Sequence, residues 1–395
     1  MSGMRALKIV LLLLLLDGTA RCAEPVVGLT RERPADVRFV KTDRGYMISY
    51  QVKIPGTELT FTMVPIPGGP FRLGSPIDEP GRDGVEGPST EVTLEPFWIG
   101  QHEVTWGEYQ IYYDLRLAFR RFRQLGVRQV TSDNRADAVT APSTIYNPPG
   151  RLPADNDERR RAKYPAVSMT QYAAKQYTKW LSKLTDQFYR LPSEAEWEFA
   201  CRVGSKNRFY FGDDAGQLDE YAWYSANSGE STHPVGLKKP NAWGLYDMHG
   251  NAAEWVLDQF DQSGYRQLQA SVKAGGPPLL WPTKLHPRTV RGGSWRDDPQ
   301  QCRSASRLAS SARWQEHDAG IPQSPWWLAA AVQRQIGFRF VRPLEPPESH
   351  QRVRYWDAAV KELRYAVDVC FEENRGAIGL VDPGLPTAIR RVARE

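Results

Sequence analysis

Residues 244–255 read Gly-Leu-Tyr-Asp-Met-His-Gly-Asn-Ala-Ala-Glu-Trp, and residues 291–295 read Arg-Gly-Gly-Ser-Trp. In the first run, Asp247 and Glu254 stand seven apart around a glycine-containing loop that can turn carbonyl oxygens inward. Oxygens so arranged suit a hard divalent cation; the plainer alternative is that the two carboxylates cap turns. The whole chain shares the mix of glycine and rings, with 13 Trp, 17 Tyr, 32 Gly and 30 Pro. That mix indicates many loops pinned by aromatics rather than long regular helices.

The N-terminus has the layout of a secretory signal over residues 1–23. Arg5 and Lys8 precede an apolar core, Ile9–Leu16, and small residues near Ala20 and Ala23 suit cleavage. The core is too short for a bilayer, which takes about 20 apolar residues, and no later segment is apolar enough. Export to the periplasm or the extracellular space is therefore expected. Arg5, Lys8 and Arg21 outnumber Asp17 by two, so cleavage lowers the formal charge from +5 to +3. That excess is too small to point to a nucleic acid or an anionic membrane. Cys201, Cys302 and Cys370 remain, and in an oxidising compartment an odd count leaves one thiol free or bonded between molecules.

Residues 24–57 read as an N-terminal arm, with a strand over Ser49–Ile54. Strands are expected on either side of the Pro/Gly turn in Phe61–Gly74, and again over Glu91–Ile99, with Pro96 marking an edge or bulge. Thr105 caps a helix through Tyr113. Residues 116–163 look like an insertion, basic at both ends, which is either a solvated face with a surface loop or a docking surface for an acidic partner. A helix opens at Ser168 or Thr170 and runs to about Leu184. Ser193 and Glu196 form a capping box for the next one. After Pro343–Pro347, a helix over Ser349–Glu373 spaces Val353, Trp356, Val360, Leu363, Val367 and Cys370 as a heptad seam. It either packs back on the main domain or pairs with a partner.

Landmarks from Leu59 to Pro343 resemble the formylglycine-generating enzyme (sulfatase-modifying factor) family. They are Pro67-Gly-Gly-Pro-Phe-Arg-Leu-Gly74, His102-Glu-Val-Thr105, Arg190-Leu-Pro-Ser-Glu-Ala-Glu-Trp197, Gly244–Trp255, Arg291–Trp295 and Gly337-Phe-Arg339. The resemblance implies one mixed α/β domain over 58–343, with little regular structure and a C-type-lectin-like core, and a C-terminal helix and tail over 344–395. It also implies structural calcium held by the side chains of Asp247 and Glu254 and the carbonyls of Gly250 and Ala252. Family enzymes oxidise a sulfatase cysteine to formylglycine, using oxygen and Cu(I) held by two neighbouring thiolates, a soft ion on soft ligands. Here the stretch after Trp295 holds a single cysteine. One register places Asp297 and Cys302 at the two thiolate positions, beside Ser294; another leaves neither thiolate. Copper is not expected in either. The family's bridge from the helix end to the arginine-rich strand implies a Cys201–Cys302 disulfide instead, the alternative being a reactive thiol.

Other chemistries find no motif. The six histidines form no zinc pattern, and no nucleophile elbow or P-loop occurs. Two main readings stand: a binding or accessory module that keeps the family groove for a peptide, a protein or a glycan, with Trp314, Trp326 and Trp327 as possible lining or as core; and an oxidase with a rearranged site. A redox enzyme using Cys302 is a third.

Overall fold

Alternating segments pair as strands, and the pairing shows where the core must lie. The computed structural model describes residues 26–142, 157–316, 323–328 and 335–393; the expected signal segment and Asn147–Gly150 fall outside them. Thr60–Ile66, buried from Phe61 inward, lies between Tyr50–Lys53 and Phe97–Gly100, and Val341–Pro343 completes an antiparallel sheet of four. A second sheet runs Arg307–Ala309, Arg288–Arg291, Ala253–Gln259, Ile336–Gly337, with only the last pair parallel.

Three expected boundaries move. The strand expected over Glu91–Ile99 is two strands: Thr90–Leu94 pairs with Gly69–Leu73, and Phe97–Gly100 enters the central sheet. Pro96, which has no N–H for a ladder, sits at the break. The N-terminal arm is itself a sheet, Leu29–Thr30, Phe39–Thr42 and Gly45–Ile48, that buries Val40 and Met47 in the main core. Gly45 (φ +132°) lets Leu29–Thr30 lie against the Gly45–Ile48 strand, since a Cβ there would meet the Thr30 carbonyl oxygen at 2.4 Å. The helix expected to end at Tyr113 runs Trp106–Leu125, because Leu115, Phe119 and Phe122 continue its buried face.

Several arginines of the basic stretch are engaged within the chain. Arg120 and Arg123 donate to Asn374, and just beyond the helix Arg128 donates to Leu380 O and to Asp382. All three partners belong to this chain's own C-terminal segment.

Two helices form the centre. Gln171–Thr185, capped by Thr170, is buried on every face, which makes its polar residues expensive unless paired. Lys175 and Lys179 donate to the carbonyl and carboxylate of Asp357, and Gln176 bridges Thr140 N and Trp356 O. Glu194–Arg202 is also wholly buried and carries the expected Ser193–Glu196 capping box.

The single C-terminal helix is a further correction. It breaks into Ser349–Trp356 and Lys361–Glu372, with Asp357 in the gap where it meets the two lysines. The heptad seam is therefore not continuous. Trp356, Val360, Val367 and Cys370 are buried in this chain, and Ala377–Gly379 pairs with Val139–Ala141. Trp314, Trp326 and Trp327 are core residues, with Trp314 also on the wall of a small cavity beside Arg288; Trp326 Nε1 donates to Thr140 Oγ1 at 3.1 Å. No helix among the described residues is long and apolar enough to cross a membrane.

Trp356 is 4% exposed and its Nε1 donates to Tyr189 O. Trp356→Ala should lower the unfolding free energy by about 3–5 kcal/mol in denaturant titrations. A loss near zero would mean that the C-terminal segment contributes nothing to the core.

Candidate functional site

The two glycine-rich runs fold against each other. Ala253–Gln259 pairs with Arg288–Arg291 through Glu254↔Arg291, and the loops beyond are tied by Gly250 N to Gly292 O (3.0 Å) and Trp295 N to Asn251 O (2.9 Å). Gly293, at φ +67°, turns the chain over Cys302: a Cβ there would lie 2.8 Å from the sulfur. Ser294 is buried, and its Oγ donates to Asp297 Oδ2 at 2.6 Å.

Ser294, Asp297 and Cys302 thus come together. The Cys302 sulfur lies beside the Gly250 and Ser294 amides; burial, then the charges of Asp297 and Asp298, push its pKa far up. It is a thiol at any physiological pH. Burial also pushes Asp297 up, against its Ser294 contacts. Cu(I) needs two thiolates, and one protonated sulfur beside a hard carboxylate does not fit it.

The expected Cys201–Cys302 disulfide is not formed; both cysteines are free and buried. Cys201 packs under Met248, with its sulfur 3.8 Å from Met248 O and 4.0 Å from the His249 ring nitrogens. Cys302 belongs to a different cluster, with Phe209 and Leu218. His249 lies between them: its ring touches Cys201 and hydrogen-bonds the Cys302 backbone. Burial drops His249 to about 3, so the imidazole is neutral, stacked on Tyr210 at 4.7 Å. Burial likewise raises Cys201 to about 12.

Asp247 and Glu254 have different fates. Asp247 Oδ2 accepts from Gly236 N (2.8 Å), while Oδ1 is buried without a hydrogen-bond donor. Glu254 takes Arg339 on both oxygens and Trp197 Nε1 at 2.8 Å. The expected ligand Glu254 is thus already paired with Arg339. Glu103 stands in the other gap: its Oε1 accepts from Ala252 N, its Oε2 has no donor, and it faces Asp247. Burial first, then the neighbouring Asp247 charge, raises Glu103 well above the carboxylate range. Three buried carboxyls around the Arg339 guanidinium, with two unpartnered oxygens, fit a hard cation in charge, with Asp247 and Glu103 supplying oxygen. Among the described residues, no three His, Cys, Asp or Glu side chains converge as a metal cage. Sequence reading missed Glu103, although it lies in the quoted His102–Thr105 run; its signal was an acidic residue flanked by core positions.

The family whose description is "Sulfatase-modifying factor enzyme 1-like domain" matches residues 53–322. The chain belongs to the sulfatase-modifying factor family. It is 28% identical to bovine formylglycine-generating enzyme over 268 residues, covering 61% of this chain and 67% of the relative. It is 31% identical to bovine "Inactive C-alpha-formylglycine-generating enzyme 2", over 61% and 79% of the two chains. It is 30% identical to serine/threonine-protein kinase Pkn1 of Chlamydia trachomatis over 74% of this chain, but spans only 41% of that relative's length. The solved structure of PvdO from Pseudomonas aeruginosa matches with TM-score 0.50 and 32% identity, covering 74% of this chain and all of PvdO. Family membership accounts for the mixed α/β fold with its C-type-lectin-like core.

Thiol titration tests the cysteine assignment in this family member. Folded, non-reduced protein lacking residues 1–23 should react slowly with a disulfide reagent at pH 8, because both site thiols are buried and protonated. After denaturation without reductant, three thiols should react. A count of one would restore the bridge.

Proposed function

We propose that this chain is an exported binding or accessory member of the sulfatase-modifying factor family, without formylglycine-generating activity. One observation carries the reading: the sulfur at the family's active-site loop is solitary, protonated, and covered by Gly293 and the Ser294 turn. The oxidase chemistry needs a pair of thiolates, and Asp297 cannot supply the second. A bovine relative bearing the word "inactive" in its name is in keeping with such a role within the family. The ligand class is a peptide, a protein such as a sulfatase, or a glycan. The purified protein, incubated with oxygen, copper and a Cys-x-Pro-x-Arg peptide, should give no aldehyde by mass spectrometry. Aldehyde formation that vanishes in Cys302→Ser would establish the oxidase in its place.

Structural calcium belongs to the same proposal. Asp247 with the Gly250 and Ala252 carbonyls would hold it, with Glu103 as the added carboxylate and Glu254 anchored to Arg339 at its edge. Bound calcium would neutralise the excess of buried negative charge. Asp247→Ala should lower the melting temperature by several degrees in calcium and change it little in chelator. Equal losses in both conditions would reduce Asp247 to a turn cap.

A further inference from the structure

Most buried arginines here face a carboxylate; Arg288 does not. Arg291, Arg303, Arg307 and Arg339 each meet a glutamate. Arg288 is 5% exposed, and its side chain takes part in no hydrogen bond or ion pair among the described residues. Its Nη1 is a fully buried donor without an acceptor. Burial alone lowers its pKa to about 10, with no anion acting to restore it.

The guanidinium lines a cavity of about 40 Å³, which at roughly 10–15 Å³ per buried water holds about three to four non-hydrogen atoms. The start of the helix Gln171–Thr185 lines the same cavity through Thr170, Gln171 and Tyr172. That turn contains no acidic residue, and the Thr170 hydroxyl caps only the Ala173 amide. The amides of Gln171 and Tyr172 have no acceptor within the described chain. Positive helix end and positive side chain therefore meet across one small space. Charges facing it do not cancel: His286 is held down by burial, and the Arg288 charge helps depress the buried Lys175. Ser310 Oγ accepts from Arg288 N and lies 3.2 Å from His286 Nδ1. The remaining walls are apolar, with Trp255, Trp314 and Leu328 among them. Leu285, His286 and Gln315 are part-exposed, so the space is reached from their side.

We propose that this cavity is a binding site for a small monocarboxylate anion, of formate to acetate size. Its two oxygens would bridge the Arg288 fork and the amides at the helix start, and its carbon would face the indoles. A planar three-atom head matches the guanidinium fork and the space. Phosphate and sulfate, with five heavy atoms and a second charge, are too large. The site lies on the far face of the Arg288–Arg291 strand from the Arg291–glutamate contacts, and it is independent of the calcium and oxidase questions.

Calorimetric titration of the full chain with sodium acetate, in carboxylate-free buffer at constant ionic strength, tests this. Wild type should bind one acetate per chain and gain about 2–4 °C in melting temperature at saturation. Arg288→Met should weaken binding at least tenfold. Without acetate it should melt no lower than wild type, since it removes an uncompensated buried charge and keeps the stem volume. Sodium phosphate at the same ionic strength should give no heat. No acetate binding to wild type, equal binding to both proteins, or an equal response to phosphate would each overturn the proposal. An Arg288→Met chain that unfolds in anion-free buffer would overturn it too, by showing the guanidinium to be a structural member of the core.

Discussion

Buried guanidinium–carboxylate pairs hold this fold together where secondary structure cannot. Loops make up much of the chain, and a buried loop has carbonyl oxygens that no ladder satisfies. Arginine supplies the missing donors. Arg291 donates to the carbonyls of Ser304, Ala305 and Ser306 and to Glu198, and Arg307 to Val85 O and Glu194. Arg339 joins Gly100, Tyr246 and Glu254. Against the burial penalty, Arg307 and then Arg291 hold Glu194 below its usual range, so the pairs remain ionised. Such pairs add little net stability over apolar residues, but losing one partner costs about 3–5 kcal/mol. They make the arrangement of loops unique rather than strong.

That network explains what could be read in advance. The capping box at Ser193 and the strands around Phe61 and Phe71 rest on local rules and were legible. The meeting of Ser294, Asp297 and Cys302 was one of two registers that the family resemblance left open, and the spacing alone did not choose between them. Partner choice was not legible. Nothing in the spacing of Glu103 shows that it faces Asp247, or that Arg339 takes Glu254. The disulfide failed for a similar reason: nearness in a family pattern gives no room for His249, whose ring fills the space beside Cys201. The heptad seam misled because its period continues through Asp357, while two buried lysines fix that residue outside a helix.

The site loop is built by backbone geometry. Gly293 lies over Cys302, and Gly292 sits against the Trp197 ring. Asp297 places a hard carboxylate at that loop, held by the Ser294 hydroxyl. Cys302 is enclosed, and burial keeps its sulfur in the thiol form.

The segments flanking the family match are part of the same argument. The match covers 53–322, yet the core continues on both sides. Arg342 ties Val27 O and Tyr50 to the central sheet, Arg44 pairs with Glu345, and a Cβ on Gly56 would lie 2.6 Å from Pro386. The two ends of the chain therefore close on each other over one edge of the domain. The central helix gives the physical reason. With Lys175 and Lys179 buried, its outer face cannot be left to a purely apolar cover, because each ammonium needs an oxygen. Asp357 provides its carbonyl and its carboxylate, and can do so only from a break between two helices. The broken C-terminal helix is thus the form that this lysine-bearing core helix requires.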